Sequence, residues 1–175
     1  YLAYDSFKTK EVEVLAVIAN KVQPENLELV TERLKSSLPE GVMVNSIPVI
    51  KSLNNPTIQE IVKELDAKVL FGAAFLNNQI GSFSVGAMQL RNYLLNLKEN
   101  GLVITPGDRA DIILGALQAN ESANYPAISG IVLTGNIVPE DSILKLIEGL
   151  STIVPIISVE GGTYNITNKI GSIKP

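Results

Sequence analysis

The sequence predicts an α/β protein: a largely parallel β-sheet flanked by helices in Rossmann-like layers. Two observations predict it. Short apolar runs alternate with amphipathic segments along most of the 175 residues, which is the rhythm of β-α-β units. Three of those runs, Leu102–Ile104, Ile128–Leu133 and Val154–Val159, each stop at a small polar loop before the chain resumes. If these strands are parallel, their loops emerge together at the carboxyl edge of the sheet, where open α/β folds place ligands.

Taken in order, residues 1–10 read as the tail of a helix leading into a strand at Val12–Ala19, which ends in Asn20–Lys21. Pro24 suits a first helical turn, and Leu27, Val30, Leu34 and Leu38 give the following helix an apolar stripe. Gly41 stops it, and Val42–Val49 is the next strand, completing an N-terminal β-α-β unit. Asn55–Pro56 reads as an N-cap and first-turn pair for a helix with Ile58, Ile61, Val62 and Leu65 on one face. Lys68–Phe71 is a short strand. In residues 77–86, Phe83 and Val85 alternate with serines as in a half-buried strand. Leu90, Tyr93, Leu94 and Leu97 mark a helix that ends near Asn100–Gly101. The three strand–loop–helix units follow, and in the second of them Ile143, Leu144 and Ile147 face the core.

Composition narrows the function. With 46% hydrophobic residues the chain can build a core, and its net charge of −4 argues against a nucleic-acid partner, which would require a basic face. No apolar run reaches the ~20 residues of a membrane span, so no membrane partner is predicted. The absence of cysteine removes disulfides and thiol nucleophiles and fits a cytoplasmic location. The absence of histidine removes the usual general base, the Ser-His-Asp triad and the commonest zinc ligand together. No catalytic residue, metal or cofactor is predicted. A chain opening on Tyr1 is expected to be a piece of a longer protein. A mean hydropathy of +0.24 predicts exposed apolar patches that a homodimer or higher assembly would bury.

Candidate binding or interface residues lie in the loops of the three units. In the first, Thr105, Gly107, Asp108, Arg109 and Asp111 stand where a strand gives way to a helix. Two readings fit. Asp108 and Asp111 have the spacing of a helix cap; alternatively, the helix N-terminus and the fork of Arg109 receive an anion. As a magnesium site the two aspartates lack a third convergent oxygen. Arg109 is expected to bridge a carboxylate and the neighbouring loops, Thr134–Asn136 and Glu160–Thr163, either within one chain or across a dimer contact. Thr134, Gly135 and Asn136 end the second strand. Gly161 and Gly162 end the third and suit a tight turn or a close approach to an anion. Upstream, Asn20 and Lys21 sit at a strand end like the base-recognition corner of P-loop nucleotide enzymes. Gln23 stands where that corner has Asp, and there is no phosphate loop.

Two stretches carry a family resemblance. Residues 105–117, TPGDRADIILGAL, followed by residues 130–136, GIVLTGN, resemble the signature of the DRTGG domain, an Asp-Arg pair and a later Thr-Gly-Gly. By position the signature falls on Asp108, Arg109, Thr134 and Gly135, with Asn136 in place of the last glycine. Residues 17–49, VIANKVQPENLELVTERLKSSLPEGVMVNSIPV, are similar to the second half of the dethiobiotin-synthetase-like P-loop domain. The resemblance implies a remnant of that domain over residues 1–55 and a DRTGG domain over 56–175. It also implies the order found in the N-terminal regulatory region of long bacterial phosphate acetyltransferases. The implied role is regulatory and oligomer-forming, the partners being a second copy, a parent acetyltransferase domain and a small anionic metabolite or nucleotide effector. The alternative is a free-standing sensor built on the same domain.

Overall fold

Leu27, Val30 and Leu34 recur at helical spacing between two apolar runs, and the chain folds there as the spacing predicts. A computed structural model describes residues 2–50, 55–150 and 154–173, which fall into two units, Tyr1–Lys51 and Ser52–Pro175. In the first unit, α1 (Leu2–Lys8) precedes β1 (Ala16–Val22), α2 (Leu27–Ser37) and β2 (Met43–Pro48). β1 and β2 pair in parallel from Ala16↔Met43 onward. One face of this pair meets α2, where the Thr31 hydroxyl donates to Ser46 Oγ at 2.7 Å. The alternation of strand side chains puts Ile18 and Met43 on the other face, where they are 56% and 63% exposed.

Two boundaries in this unit differ from the sequence reading, and Tyr1 lies outside the described residues. β1 starts at Ala16 rather than Val12, because the Val12 N–H returns to the Phe7 carbonyl (3.1 Å) and Glu11 turns the chain at φ 56°. β1 also continues through Asn20–Lys21 instead of ending there. Its register shifts between Ala19 and Val22, with Lys21 at φ 59°, so the corner is a bulge within the strand.

The second unit holds α3 (Ile58–Leu65), β3 (Lys68–Phe71), β4 (Ser82–Val85), α4 (Leu90–Tyr93), β5 (Gly101–Pro106), α5 (Ala110–Glu121), β6 (Ile128–Thr134), α6 (Asp141–Glu148), β7 (Ile156–Ser158) and α7 (Thr163–Ser172). Its five strands lie in the order β3-β7-β6-β5-β4. β4 to β7 are mutually parallel, and β3 runs antiparallel beside β7. Alternation along the central strands builds the layers. Val103, Ile131, Leu133 and Ile156 pack with Tyr93, Ile112, Leu117 and Ile147 of α4, α5 and α6. Their neighbours Leu102, Ile104, Val132 and Ile157 pack with Ile58, Ile61, Ile166 and Ile170 of α3 and α7. The fold class is therefore the one predicted, a mostly parallel sheet between helical layers. Among the described residues no helix is long and apolar enough to cross a membrane.

Local details correct the reading in two places. The helix expected over Leu90–Leu97 is a single α turn followed by a 3₁₀ turn at Leu94–Asn96. The cap of α3 is Thr57, not Asn55: Thr57 Oγ1 accepts from the Glu60 N–H (3.3 Å) and Glu60 Oε2 accepts from the Thr57 N–H (2.7 Å). Residues 56–57 cannot join the helix because the Pro56 carbonyl accepts from Ile80 N–H and Thr57 bridges Gln79. Thr57→Ala is expected to cost about 1 kcal/mol, read as a lower urea midpoint. The Thr57 backbone N–H, then its hydroxyl, hold Glu60 below the ordinary glutamate range. This share of stability is present above that range and is lost as pH falls through the lowered value; the variant keeps the backbone bond and loses only the hydroxyl's part, so its acid limb should be only slightly flatter.

Candidate functional site

At the carboxyl edge each strand hands its polar groups to the loop of the next. Thr105, fully buried in β5, donates through Oγ1 to the Gly86 carbonyl just past β4 (3.2 Å). Arg109 reaches the same place. Its Nη1 donates to Gly86 O (3.4 Å), and its Nη2 donates to Met88 O (2.8 Å). The rest of the fork grips Asp111, with Nε to Oδ1 at 2.8 Å and Nη2 to Oδ2 at 2.9 Å. The bidentate pair is half exposed, at 30% and 46% for the two side chains. Each partner pulls the other's pKa outward: the hydrogen bond to Arg109 lowers Asp111, and the hydrogen bond to Asp111 raises Arg109.

These contacts correct two expectations. Asp108 is exposed and no side chain caps α5, because the helix begins one residue later, after Arg109, and Asp111 is taken by Arg109. The loop that Arg109 bridges is the one after β4, not the loops after β6 and β7. With most of its donors committed to protein oxygens, the guanidinium has little left for an incoming anion.

Gly107 joins the next pair of loops by close approach. A Cβ there would lie 1.7 Å from the Ile137 carbonyl oxygen, far inside van der Waals contact. Beyond it, Gly135 (φ 82°) and Asn136 (φ 55°) are both left-handed, and Asn is among the few side chains that tolerate the second position. Their N–H groups donate to Gly161 O (3.0 Å) and Val159 O (2.9 Å). The buried Thr134 hydroxyl lies 2.7 Å from that of Thr163. Here α6 and α7 leave adjacent parallel strands toward opposite helical layers, the topological switch point where α/β sheets open a ligand crevice. In this chain the two loops are hydrogen-bonded across it.

Gly161 is packed close, since a Cβ would meet Ile166 Cδ1 at 2.7 Å, whereas Gly162 has open space around its α-carbon and an ordinary φ of −65°. Beside Gly161 lies a groove of about 570 Å³ carrying Asp66, Glu160 and Lys169, a net-acidic lining that does not suit a phosphate. Among the described residues no group of three or more acidic or other ligating side chains is placed to hold a metal ion. In the other unit, Asn20 Oδ1 accepts from the Lys21 N–H (2.8 Å) and both residues are exposed. The sequence reading missed Gly86, Met88 and Ile137, and named Thr163 only as the end of a loop. Only Gly86 left a trace, as the residue where the serine–apolar alternation of β4 stops.

Residues 60–173 match the DRTGG domain family. The chain belongs to that family. Within the matched residues, Arg109, Thr134 and Gly135 each tie one edge loop to another, and Asn136 completes a left-handed turn. The phosphate acetyltransferase of Synechocystis sp. is 39% identical over 99% of this chain, and that of Nitratidesulfovibrio vulgaris is 34% identical over 99%. The chain spans about a quarter of the length of these curated relatives, 25% and 26%. A crystal structure of the CBS and DRTGG domains of the regulatory region of Clostridium perfringens pyrophosphatase, complexed with its activator diadenosine tetraphosphate, shares the fold. It gives a TM-score of 0.53 at 17% identity, covering 97% of this chain and 67% of that one.

Arg109→Ala is expected to lower stability by about 1–2 kcal/mol, above an exposed pair because two backbone carbonyls also lose their donor, yet short of a buried one. Arg109→Lys should recover little of it, since an ammonium cannot span Asp111 and Met88 together. Asp111 contributes above the usual aspartate range and loses its contribution as pH falls through the lowered value. The gap between wild type and Arg109→Ala should therefore close on acidification in urea titrations. Gly107→Ala should be costlier, about 2–3 kcal/mol, because a backbone carbonyl must move; an unchanged midpoint would contradict the close approach.

Proposed function

We propose that this chain is a non-catalytic regulatory and assembly segment of a phosphate acetyltransferase, the cytoplasmic enzyme that interconverts acetyl-CoA and phosphate with acetyl phosphate and CoA. The observation that carries the proposal is the pairing of full alignment with partial coverage. The chain aligns over 99% of its length yet accounts for only 25% of the Synechocystis relative. The geometry of the carboxyl edge supports a non-catalytic role, since the polar groups that would serve a substrate bond to one another. The reading includes a second copy of the chain as partner, an acetyltransferase domain elsewhere in the longer protein, and a small anionic metabolite or nucleotide as effector. The Clostridium perfringens neighbour, described with a nucleotide activator bound, supports an effector of that class.

Residues 1–55 are read as the C-terminal remnant of a dethiobiotin-synthetase-like P-loop domain, with Asn20 and Lys21 as its former nucleotide corner, and 56–175 as the DRTGG domain. A two-stranded sheet needs further strands or a second covered face to be stable. Ile18 and Met43 on its open face support its being part of something larger. The alternative is a free-standing small-molecule or nucleotide sensor built on the same domain.

Residues 1–175 are expected to turn over neither acetyl phosphate nor ATP, and to form at least a dimer by light scattering at high micromolar concentration. Turnover that tracks the protein through gel filtration would overturn the non-catalytic assignment. A thermal-shift panel of acetyl-CoA, CoA, adenine nucleotides, NADH, pyruvate and phosphoenolpyruvate tests the effector. A binder at a hundredfold over Kd adds about 2.7 kcal/mol, several degrees for a chain of this size.

A further inference from the structure

The sheet of the second unit ends in two edges, β3 and β4, and they are built differently. β3 opens on Lys68 and loses register with β7 between Val69 and Phe71. A charge and a bulge are the devices by which proteins blunt an edge against pairing. β4 has neither. Its register with β5 is unbroken from Ser82↔Gly101 to Val85↔Ile104, and it contains no proline. No Asp, Glu, Lys or Arg occurs from Val69 to Leu90, although 18% of the chain is charged. Among the described residues no strand pairs with its outer side. Apolar side chains flank it: Phe83 is 42% exposed, Met88 51% and Leu95 82%. Met88 adjoins the turn that carries Leu95, its sulfur 3.9 Å from Asn96 Nδ2.

We propose that the β4 edge is the surface through which a second copy of this chain docks, strand against strand and antiparallel about a two-fold axis. This deepens the self-assembly proposed above and rests on it. The distribution of charge selects the occupant. Across a two-fold axis the short strand meets its own copy, so charges of one sign along it would lie close to one another, and an edge without charge avoids that repulsion. A different partner could be met by opposite charges; a copy requires none, and the edge carries none. Backbone donors and acceptors of an open strand are self-complementary in the antiparallel sense. Pairing would run the two sheets into one and place Phe83 of each copy within a few residues of the axis.

The 175-residue chain contains no cysteine, so Phe83→Cys carries a single nitroxide label. Pulsed dipolar spectroscopy on the labelled dimer should read less than about 25 Å, from a rise of ~3.4 Å per residue over a four-residue strand plus the label arms. Docking through β3 instead would separate the labels by about nine strand spacings of ~4.8 Å, roughly 43 Å. Phe83→Lys, which sets a charge against its copy, should convert the dimer to an 18.8 kDa monomer with unchanged far-UV dichroism, and Phe83→Ala should weaken it less. A wild-type monomer at high micromolar concentration overturns both this docking and the self-assembly it rests on. A wild-type dimer with labels beyond 25 Å, or one indifferent to Phe83→Lys, overturns the β4 edge alone.

Discussion

The carbonyl oxygen of Ile137 occupies the space where a side chain on residue 107 would begin, and much of the carboxyl edge is arranged around that approach. It brings the loop after β6 onto the loop after β5. From there Arg109 and Thr105 reach one neighbour, and Gly135, Asn136 and Thr134 reach the other. The order of residues in the family signature follows the order of loops along the edge. A glycine between Pro106 and Asp108 is therefore fixed by a backbone in another loop, not by any demand of its own φ.

The distribution of polar groups also decides what kind of chemistry the edge supports. Buried hydroxyls and exposed guanidinium alike find protein partners at ordinary distances. The one buried side-chain oxygen left without a partner among the described residues is Ser158 Oγ in β7, a residue that does not line the groove beside Gly161. Preorganised catalysis needs polar groups aimed at an empty position, and the candidate residues are aimed at each other.

The layers were legible in the sequence because they rest on local periodicity: Ile58, Ile61 and Leu65 at helical spacing, and continuous apolar runs at β5, β6 and β7. The loops were legible as loops, and their glycines as special. What escaped was long-range. The antiparallel placement of β3 depends on which edge of the sheet it reaches, and nothing in Lys68–Phe71 encodes that. The partner of Arg109 lies more than twenty residues upstream, past a helix, so sequence neighbours named Asp111 correctly and the receiving loop wrongly. Asp108 followed every local rule for a cap and lost the position because Asp111 was drawn to Arg109.

The bridged switch point between β6 and β7 has a mechanical corollary. Loops that are free to move separately let an α/β protein flex at its mouth while the sheet stays still. Here a load applied to the segment after β4 is carried through Arg109 to α5, through Gly107 to Ile137, and through Gly135 to the start of α7. Each of these loops is tied to the next, so moving one of them means breaking or dragging a contact with its neighbour.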